Sequence, residues 1–282
     1  MLIKKKKITV FFYLVLLPLI FAVYIFFLEP NNLQKTYLII ESDKIPGEAT
    51  PLKIIHLTDF HIDKIGWREN RVIQILELEE PDLILLSGDY LNDRSKGDEL
   101  GEYIQRMVEI APVYFTLGNW DNEKINKNIV NAGGTSVFER FLTVNLDGVR
   151  FDLFSIKYNW AYIGEDRERE RISELLQERT NDYFTIFLAH TPDHVPVAVD
   201  REIDLMLAGH THGGQFRLPF FGSFFTDSKF GKKYERGYHK IANTILYVNR
   251  GIGMTGNIKL RVRAFCPPEI LILTIKPETN EN

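Results

Sequence analysis

The sequence predicts a layered α/β domain carried behind an apolar N-terminal helix. Three observations lead there. Short apolar runs of strand length alternate with helical patterns along most of the chain. An Asp-Gly pair in "LDGV" marks a tight hairpin, and an uncharged run extends from Ile8 to Leu28.

In chain order, "KKKK" (4–7) precedes "ITVFFYLVLLPLIFAVYIFFL" (8–28). At about 1.5 Å per helical residue this run reaches across a hydrocarbon core of roughly 30 Å. "FFLEPNN" offers no small-residue cleavage site, so residues 1–28 read as an uncleaved single-pass membrane anchor, kinked at Pro18, with a shallow re-entrant segment the alternative. Residues 29–50, with Pro30, Pro46 and Gly47, read as a polar linker, and 51–282 as one domain.

Within that domain, "LKIIHLTD" (52–59), "DLILLSGD" (82–89), "PVYFTLGN" (112–119), "YFTIFLAH" (183–190) and "EIDLMLAGH" (202–210) have the continuous apolar character of buried strands. Helical patterns cover 68–80, 97–111, 123–131 and 166–179. Strands at 142–147 and 149–156 flank the Asp-Gly turn, and "TILYVNRG" and "EILILTIK" read as a further strand pair. Two sheets with helices outside them accommodate this number of strands.

Composition narrows the function. With 45% hydrophobic and 26% charged residues and a net charge of −4, the chain is neither disordered nor suited to tracking a nucleic-acid backbone. Its one cysteine, Cys266, can form no intramolecular disulfide and belongs to no cysteine cluster.

The chemistry collects at strand ends. The five buried strands close on Asp59 and His61 ("DFH"), Asp89 ("GD"), Asn119 ("GN"), His190, and His210 with His212 ("GHTH"). Singly, an Asp there often caps a helix, an Asn after Gly turns the chain, and a lone His is a hydrogen-bonded core residue. Together they are nitrogen and oxygen donors where open α/β sheets bind ligands, and they include D-x-H and H-x-H pairs whose side chains share one side of an extended backbone. Imidazole and carboxylate without thiolate suit Mn²⁺, Zn²⁺ or Fe²⁺. The donors are too many for one tetrahedral ion and suit two divalent metal ions sharing a carboxylate.

In order, "DFH", "GD", "GNWD", His190 and "GHTH" resemble the motif series of the calcineurin-like metallophosphoesterases, over 52 to about 276. "LAHTPD", "AGHTHGGQ" and "NRGIG…CPPEI" look more narrowly like a membrane-associated bacterial branch that includes UDP-2,3-diacylglucosamine pyrophosphatases of lipid A biosynthesis. The resemblance implies a four-layer αββα sandwich. It implies Asp59, His61, Asp89 and His212 around one ion and Asp89, Asn119, His190 and His210 around the other, with a hydroxide between them as nucleophile. Asp89, Asn119 and Asp121 are then the candidate catalytic residues, Asp121 by orienting a ligand. Gly213 and Gly214 would let the backbone pass close to the ions.

The chain departs from the family at Trp120, where many members carry histidine. Indole has one N–H donor and shuttles no proton near neutral pH. A phosphate monoester leaving group, with second pKa about 6, needs little acid assistance, so Trp120 tilts the substrate towards a diphosphate or another activated ester. A tolerated substitution with another acid nearby is the alternative.

"GGQFRLPFFGSFFTDSKFG" (213–231) places phenylalanines directly after the metal ligands. It reads either as a loop meeting acyl chains or the membrane interface, or as a satellite core. Arg217, Trp120 and Arg68 are the candidate substrate-binding residues. Lys229, Lys232, Lys233 and Arg236 read mainly as a solvated face, and Asn92 as a turn residue.

The expected activity is hydrolysis of a phosphoanhydride or phosphoester bond in a lipid-linked phosphate or diphosphate, with UDP-2,3-diacylglucosamine the favoured instance. A broader phosphodiesterase or phosphatase outside the cytoplasm is the alternative, and a metal-free interaction scaffold a minor one. No protein partner is inferred. The positive-inside rule keeps the lysine cluster in the cytoplasm and the domain outside, whereas a UDP-lipid is met inside, so the sequence leaves both faces of the membrane open.

Overall fold

A computed structural model of the chain describes residues 12–180, 182–256 and 261–278, with the backbone alone at Trp160. The Lys4–Lys7 cluster, the start of the apolar run and the last residues of the domain lie outside the described residues.

Two large mixed sheets form the centre. One is ordered β1 (Gln34–Ser42), β14 (Glu269–Pro277), β2 (Leu52–Leu57), β3 (Leu83–Leu86), β4 (Val113–Phe115) and β5 (Thr135–Ser136). The other runs β12 (Gly237–Ile241), β13 (Thr244–Val248), β9 (Leu205–Ala208), β8 (Phe184–Leu188), β7 (Val149–Phe154) and β6 (Phe141–Leu146). β2 to β5 are mutually parallel, as are β7, β8, β9 and β13, so the carboxyl ends of each set share one edge.

Alternation of side chains across each strand builds the layers. Ile54, Leu83, Leu85 and Leu273 of one sheet meet Leu153, Ile186, Leu205 and Leu207 of the other in a dry central core. The opposite face of the first sheet, through Ile55, Ile84 and Leu86, packs on the helices Trp67–Glu79, Gly97–Val108 and Glu123–Asn131. Phe187, Met206 and Leu246 of the second meet the helices Glu165–Leu175 and Val195–Asp200. Helix, sheet, sheet, helix is the expected four-layer order. Both faces of the central strands are buried, which is why they read as continuous apolar runs.

One expectation is corrected. Residues 34–42, read as part of a polar linker, form β1, which pairs in parallel register with β14 from Gln34–Glu269 to Ser42–Pro277. An edge strand with one wet face shows little apolar bias, and Tyr37 and Ile39 point outward.

The helical segment Phe12–Asn31 is long and apolar enough by length and composition to cross a membrane, and little of it is buried against the domain. Its carboxyl end is fastened down. Glu29 is buried and accepts the Cys266 N–H at 2.8 Å, and Ile25 O accepts the Arg263 N–H.

Candidate metal centre

The parallel strands deliver their carboxyl ends to one crevice between the sheets. β2 brings Asp59 and His61, β3 brings Asp89, β4 brings Asn119, β8 brings His190, and β9 brings His210 and His212. Asp59, His61, Asp89, His210 and His212 all adopt left-handed backbone with φ of 50, 42, 58, 69 and 51°. That conformation is costly for non-glycine residues, and its concentration here turns the side chains sharply off the strand ends. Neighbouring glycines provide clearance. A Cβ on Gly118 would strike the Asp89 carboxylate and the His190 ring, and one on Gly209 would strike Asp59.

Two donor groups result. Ligand atoms of Asp59, His61 and His212 all lie within 4.8 Å of one another, as do those of Asp89, His190 and His210. Asn119 Oδ1 adds to the second group at 2.8 Å from His190 Nε2. One atom joins the groups: Asp89 Oδ2 is 3.4 Å from His61 Nε2 and 3.5 Å from His190 Nε2.

Hydrogen bonds around the rings leave the inward lone pairs available. His190 Nδ1 faces Ser87 O at 2.7 Å, and His61 Nδ1 faces Asn92 Oδ1 at 3.1 Å, so each Nε2 is turned to the crevice. Asn92 also donates to His61 O at 2.7 Å. Its role therefore exceeds that of a turn residue: it fixes the orientation of a ligand, and its spacing of three from Asp89 was the available signal. Asp59 Oδ2 accepts the His210 N–H and the Thr58 hydroxyl, both at 2.9 Å. Asp121 accepts the N–H groups of Asp89, Gly118 and Tyr90 at 2.7, 2.8 and 3.1 Å, holding two ligand loops together.

The donor set fits divalent cations. Asp59 Oδ1, His61 Nε2 and His212 Nδ1 are buried without a hydrogen-bond partner among the described residues, a costly arrangement unless a cation satisfies it. Burial lowers the pKa of His212, with the neighbouring His61 charge adding to it, and burial followed by His190 lowers that of His210. Both therefore present neutral, coordinating imidazole. Burial opposes ionisation of Asp89, yet His190 and His61 outweigh it and hold the carboxyl well below its ordinary range. Burial also opposes the charged form of His190, but Asp89 overrides it and pushes its pKa up to about 10, so a cation entering here displaces a proton. Asp121 is pushed up to about 6 by burial and by the charge of Asp89.

A cavity of about 190 Å³ opens on this crevice, lined by Asp89, Asn119, Trp120, His210 and His212 and rimmed by Gln215, Phe225, Asp227 and Thr255. Trp120 is partly exposed, stands edge-on to His61 at 5.8 Å, and donates its backbone N–H to Asp89 Oδ1 at 2.9 Å. Neither Arg68 nor Arg217 is in this lining. Arg68 binds the Glu69 carboxylate at 2.7 Å, and Arg217 pairs with Glu235 at 2.6 Å and with Gly213 O at 2.9 Å. A Cβ on Gly213 would meet Arg250 and Cys266, and one on Gly214 would meet Ser223, while Gly214 also lines the cavity.

When bound, a pair of divalent ions supplies Lewis-acid neutralisation of phosphoryl charge and lowers the pKa of an attacking water. Around them this chain contributes donor atoms held by the second ring of hydrogen bonds, a shared carboxylate, and an indole over the opening.

Comparisons with known proteins agree with this geometry. The family described as calcineurin-like phosphoesterase matches residues 52–214, a span containing every one of these donors. The chain is 31% identical over 261 residues to an uncharacterised metallophosphoesterase of Bacillus subtilis strain 168, YkuE, covering 89% of this chain and 88% of that protein. It is 30% identical over 239 residues to the phosphodiesterase YaeI of Escherichia coli strain K12, covering 80% and 83%. The crystal structure of TT1561 from Thermus thermophilus shares the fold with a TM-score of 0.51 at 14% identity, covering 72% of this chain and 91% of that one. This chain belongs to the calcineurin-like phosphoesterase family and is a metal-dependent hydrolase.

Proposed function

We propose that the protein is a membrane-anchored, two-metal phosphoesterase that cleaves a phosphoanhydride or phosphodiester bond in a lipid-linked substrate. The observation that carries this is the position of Asp89 Oδ2 between the two donor groups, in a cavity whose otherwise mainly polar lining includes the aromatic side chains Trp120 and Phe225. A shared carboxylate suits a pair of ions, most readily Mn²⁺ with this donor set, clamping both oxygens of an in-line displacement. An indole where many family members carry histidine supports a substrate whose leaving group departs unprotonated, and UDP-2,3-diacylglucosamine is the favoured instance. Asp59, His61, Asp89 and His212 would hold one ion and Asp89, Asn119, His190 and His210 the other.

A second reading rests on the lysine cluster before the apolar run, which favours an outward-facing domain and hence a phospholipid or cell-wall diester. One experiment tests both: hydrolysis of UDP-2,3-diacylglucosamine, a phospholipid diester and simple monoesters by the Mn²⁺-loaded chain, with Asp89→Ala as control. Preference for the UDP-lipid, abolished in the variant, supports the first reading. Turnover of the diester without the UDP-lipid replaces it with the second.

A further inference from the structure

We propose that Phe220, Phe221, Phe224 and Phe225, together with Phe265, form a membrane-docking face that sinks into the leaflet beside the N-terminal helix and sets the mouth of the metal centre at the lipid headgroups. The substrate clause rests on the phosphoesterase reading above; the docking does not.

The phenylalanines between Pro219 and Asp227 do not pack as a satellite core. Phe221 is 78% exposed and Phe225 88%, while Phe220 is fully exposed and Phe224 largely so. The loop that carries them is held from below. β10 (Arg217–Leu218) and β11 (Gly222–Ser223) pair as a small hairpin, and Arg217 is buried against Glu235, which also accepts the Ser223 hydroxyl. A clamped base beneath four wet aromatic rings is a presented surface, and an apolar patch of this kind marks an interaction site.

Its position identifies the partner. Phe265 stacks on Phe21 at 6.4 Å and meets Tyr24 at 5.6 Å, both on the apolar helix. It also shares a hollow of about 460 Å³ with Pro219, Phe220, Phe221, Lys232 and Arg236. The phenylalanine loop and the helix therefore both border Phe265. Counting back from Leu28 at about 1.5 Å per residue, Tyr24 and Phe21 lie about 6 to 10 Å along the helix from its carboxyl end. If the apolar run is in hydrocarbon, Phe265 is at the depth to which interfacial apolar side chains insert, about 5–10 Å below the headgroups. Lys232 and Arg236 rim the same hollow, where anionic headgroups would meet them; Lys232 also donates to Phe221 O at 3.2 Å. Aromatic rings flanked by cations beside an apolar helix fit a lipid surface.

The consequence for catalysis lies in Phe225. It belongs both to this loop and to the rim of the metal cavity, so the docked face brings that rim to the bilayer. A phosphate in a lipid headgroup then reaches the centre with its acyl chains still in the membrane, which spares the cost of extracting them into water.

Depth-dependent quenching on the full-length chain in phosphatidylcholine–phosphatidylglycerol vesicles tests the docking. Cys266 is buried, so Phe221→Cys and, as control, Asp147→Cys can each carry an environment-sensitive dye. Asp147 is in the turn at the amino end of β7, away from the metal-bearing strand ends. The expected result is several-fold stronger quenching of the Phe221 label by shallow doxyl lipids. Equal quenching at both positions overturns docking, and so does a shielded but unquenched label in a chain of doubled mass, which would assign the face to a second copy. In the triple variant Phe220→Ser, Phe221→Ser, Phe224→Ser, hydrolysis of a vesicle-borne phosphodiester lipid should fall on the order of tenfold while that of soluble bis(p-nitrophenyl) phosphate is unchanged. Parallel loss on both overturns the substrate clause. No hydrolysis of the soluble ester, the vesicle-borne diester or UDP-2,3-diacylglucosamine by the metal-loaded parent overturns the phosphoesterase reading alone, because the quenching reports docking without it.

Discussion

The Asp121 carboxylate accepts the backbone N–H of Asp89 at 2.7 Å while also gathering the N–H groups of Gly118 and Tyr90, so one buried side chain ties the end of β3 to the end of β4. Asparagine is nearly isosteric, but its NH₂ would face one of these donors. We expect Asp121→Asn to lower metal content and to reduce turnover of a soluble diester by about 10- to 100-fold, the usual effect of disturbing the partners of metal ligands. Metal analysis beside the kinetics checks this. Full metal occupancy with unchanged turnover would remove Asp121 from the positioning network.

Much of the site was legible because the donors follow directly on strand ends, and the parallel strands Leu83–Leu86 and Leu205–Ala208 announce themselves by being apolar on both faces. Topology then does the rest, since parallel neighbours deliver their carboxyl ends to the same edge. The edge strand Gln34–Ser42 was hidden for the opposite reason. One face is wet, and its partner Glu269–Pro277 is at the far end of the chain. Side chains that act through a hydrogen bond were least visible. Asn92 is an ordinary loop asparagine until His61 Nδ1 is found 3.1 Å from its oxygen, and Arg217 passes for a free cation until Glu235 is seen beside it.

Chelation tests the unpaired donors Asp59 Oδ1, His61 Nε2 and His212 Nδ1. A cation that binds only the folded chain stabilises it by about 2.7 kcal/mol at a hundredfold excess over Kd. Adding EDTA should therefore lower Tm by several degrees, with full recovery on restoring Mn²⁺. In Asp89→Asn the shared carboxylate is lost, and the gap between the metal-loaded and chelated forms should shrink towards zero. A Tm indifferent to EDTA in the parent chain would contradict a bound pair of ions.

Trp120 stands at the cavity edge-on to His61, where an imidazole would supply the proton that indole cannot. Trp120→His should raise hydrolysis of an alkyl phosphodiester, with a gain approaching the roughly 10²-fold of general acid catalysis, and leave a p-nitrophenyl ester nearly unchanged. The ratio of the two rates before and after substitution is the measurement. Equal change on both esters would show that the indole acts through shape alone.

His56 gives a pH dependence separate from the ligands. It is fully buried on β2, 2.8 Å from the Ser87 hydroxyl, and burial lowers its pKa from 6.5 to about 3, against a smaller opposing pull from Glu269. Between these values the unfolded chain binds a proton that the folded chain refuses. Stability is thus complete above about pH 6.5 and declines as pH falls towards about 3, by about 1.4 kcal/mol per pH unit for this group. Urea unfolding of the chelated chain at pH 7, 6 and 5 should show the parent losing stability faster than His56→Gln. Parallel slopes would mean that His56 is already protonated in the fold.

Among the described residues Arg263 is the largest fully buried side chain, and it meets no carboxylate in their ion pairs. Its guanidinium instead donates to the carbonyls of Arg250, Gly251, Gly253 and Cys266, at 2.7 to 3.1 Å. Burial pulls its pKa down to about 10, which still leaves it charged at neutral pH. The loop it gathers backs the metal centre, since Ile252 donates to Thr58 O at 3.0 Å and Gly253 to Asp59 O at 2.6 Å. Arg263→Met would strand several buried carbonyls at once, and we expect a loss of about 3 kcal/mol or more. Arg263→Lys keeps the charge but offers three donors from one point in place of a planar fork, so it should recover only part of that loss. Because the loop supports Asp59, metal affinity should fall in both variants in the same order. Urea unfolding of the chelated proteins separates the structural effect from the metal effect, and a Lys variant as stable as the parent would show that charge rather than fork geometry holds the loop.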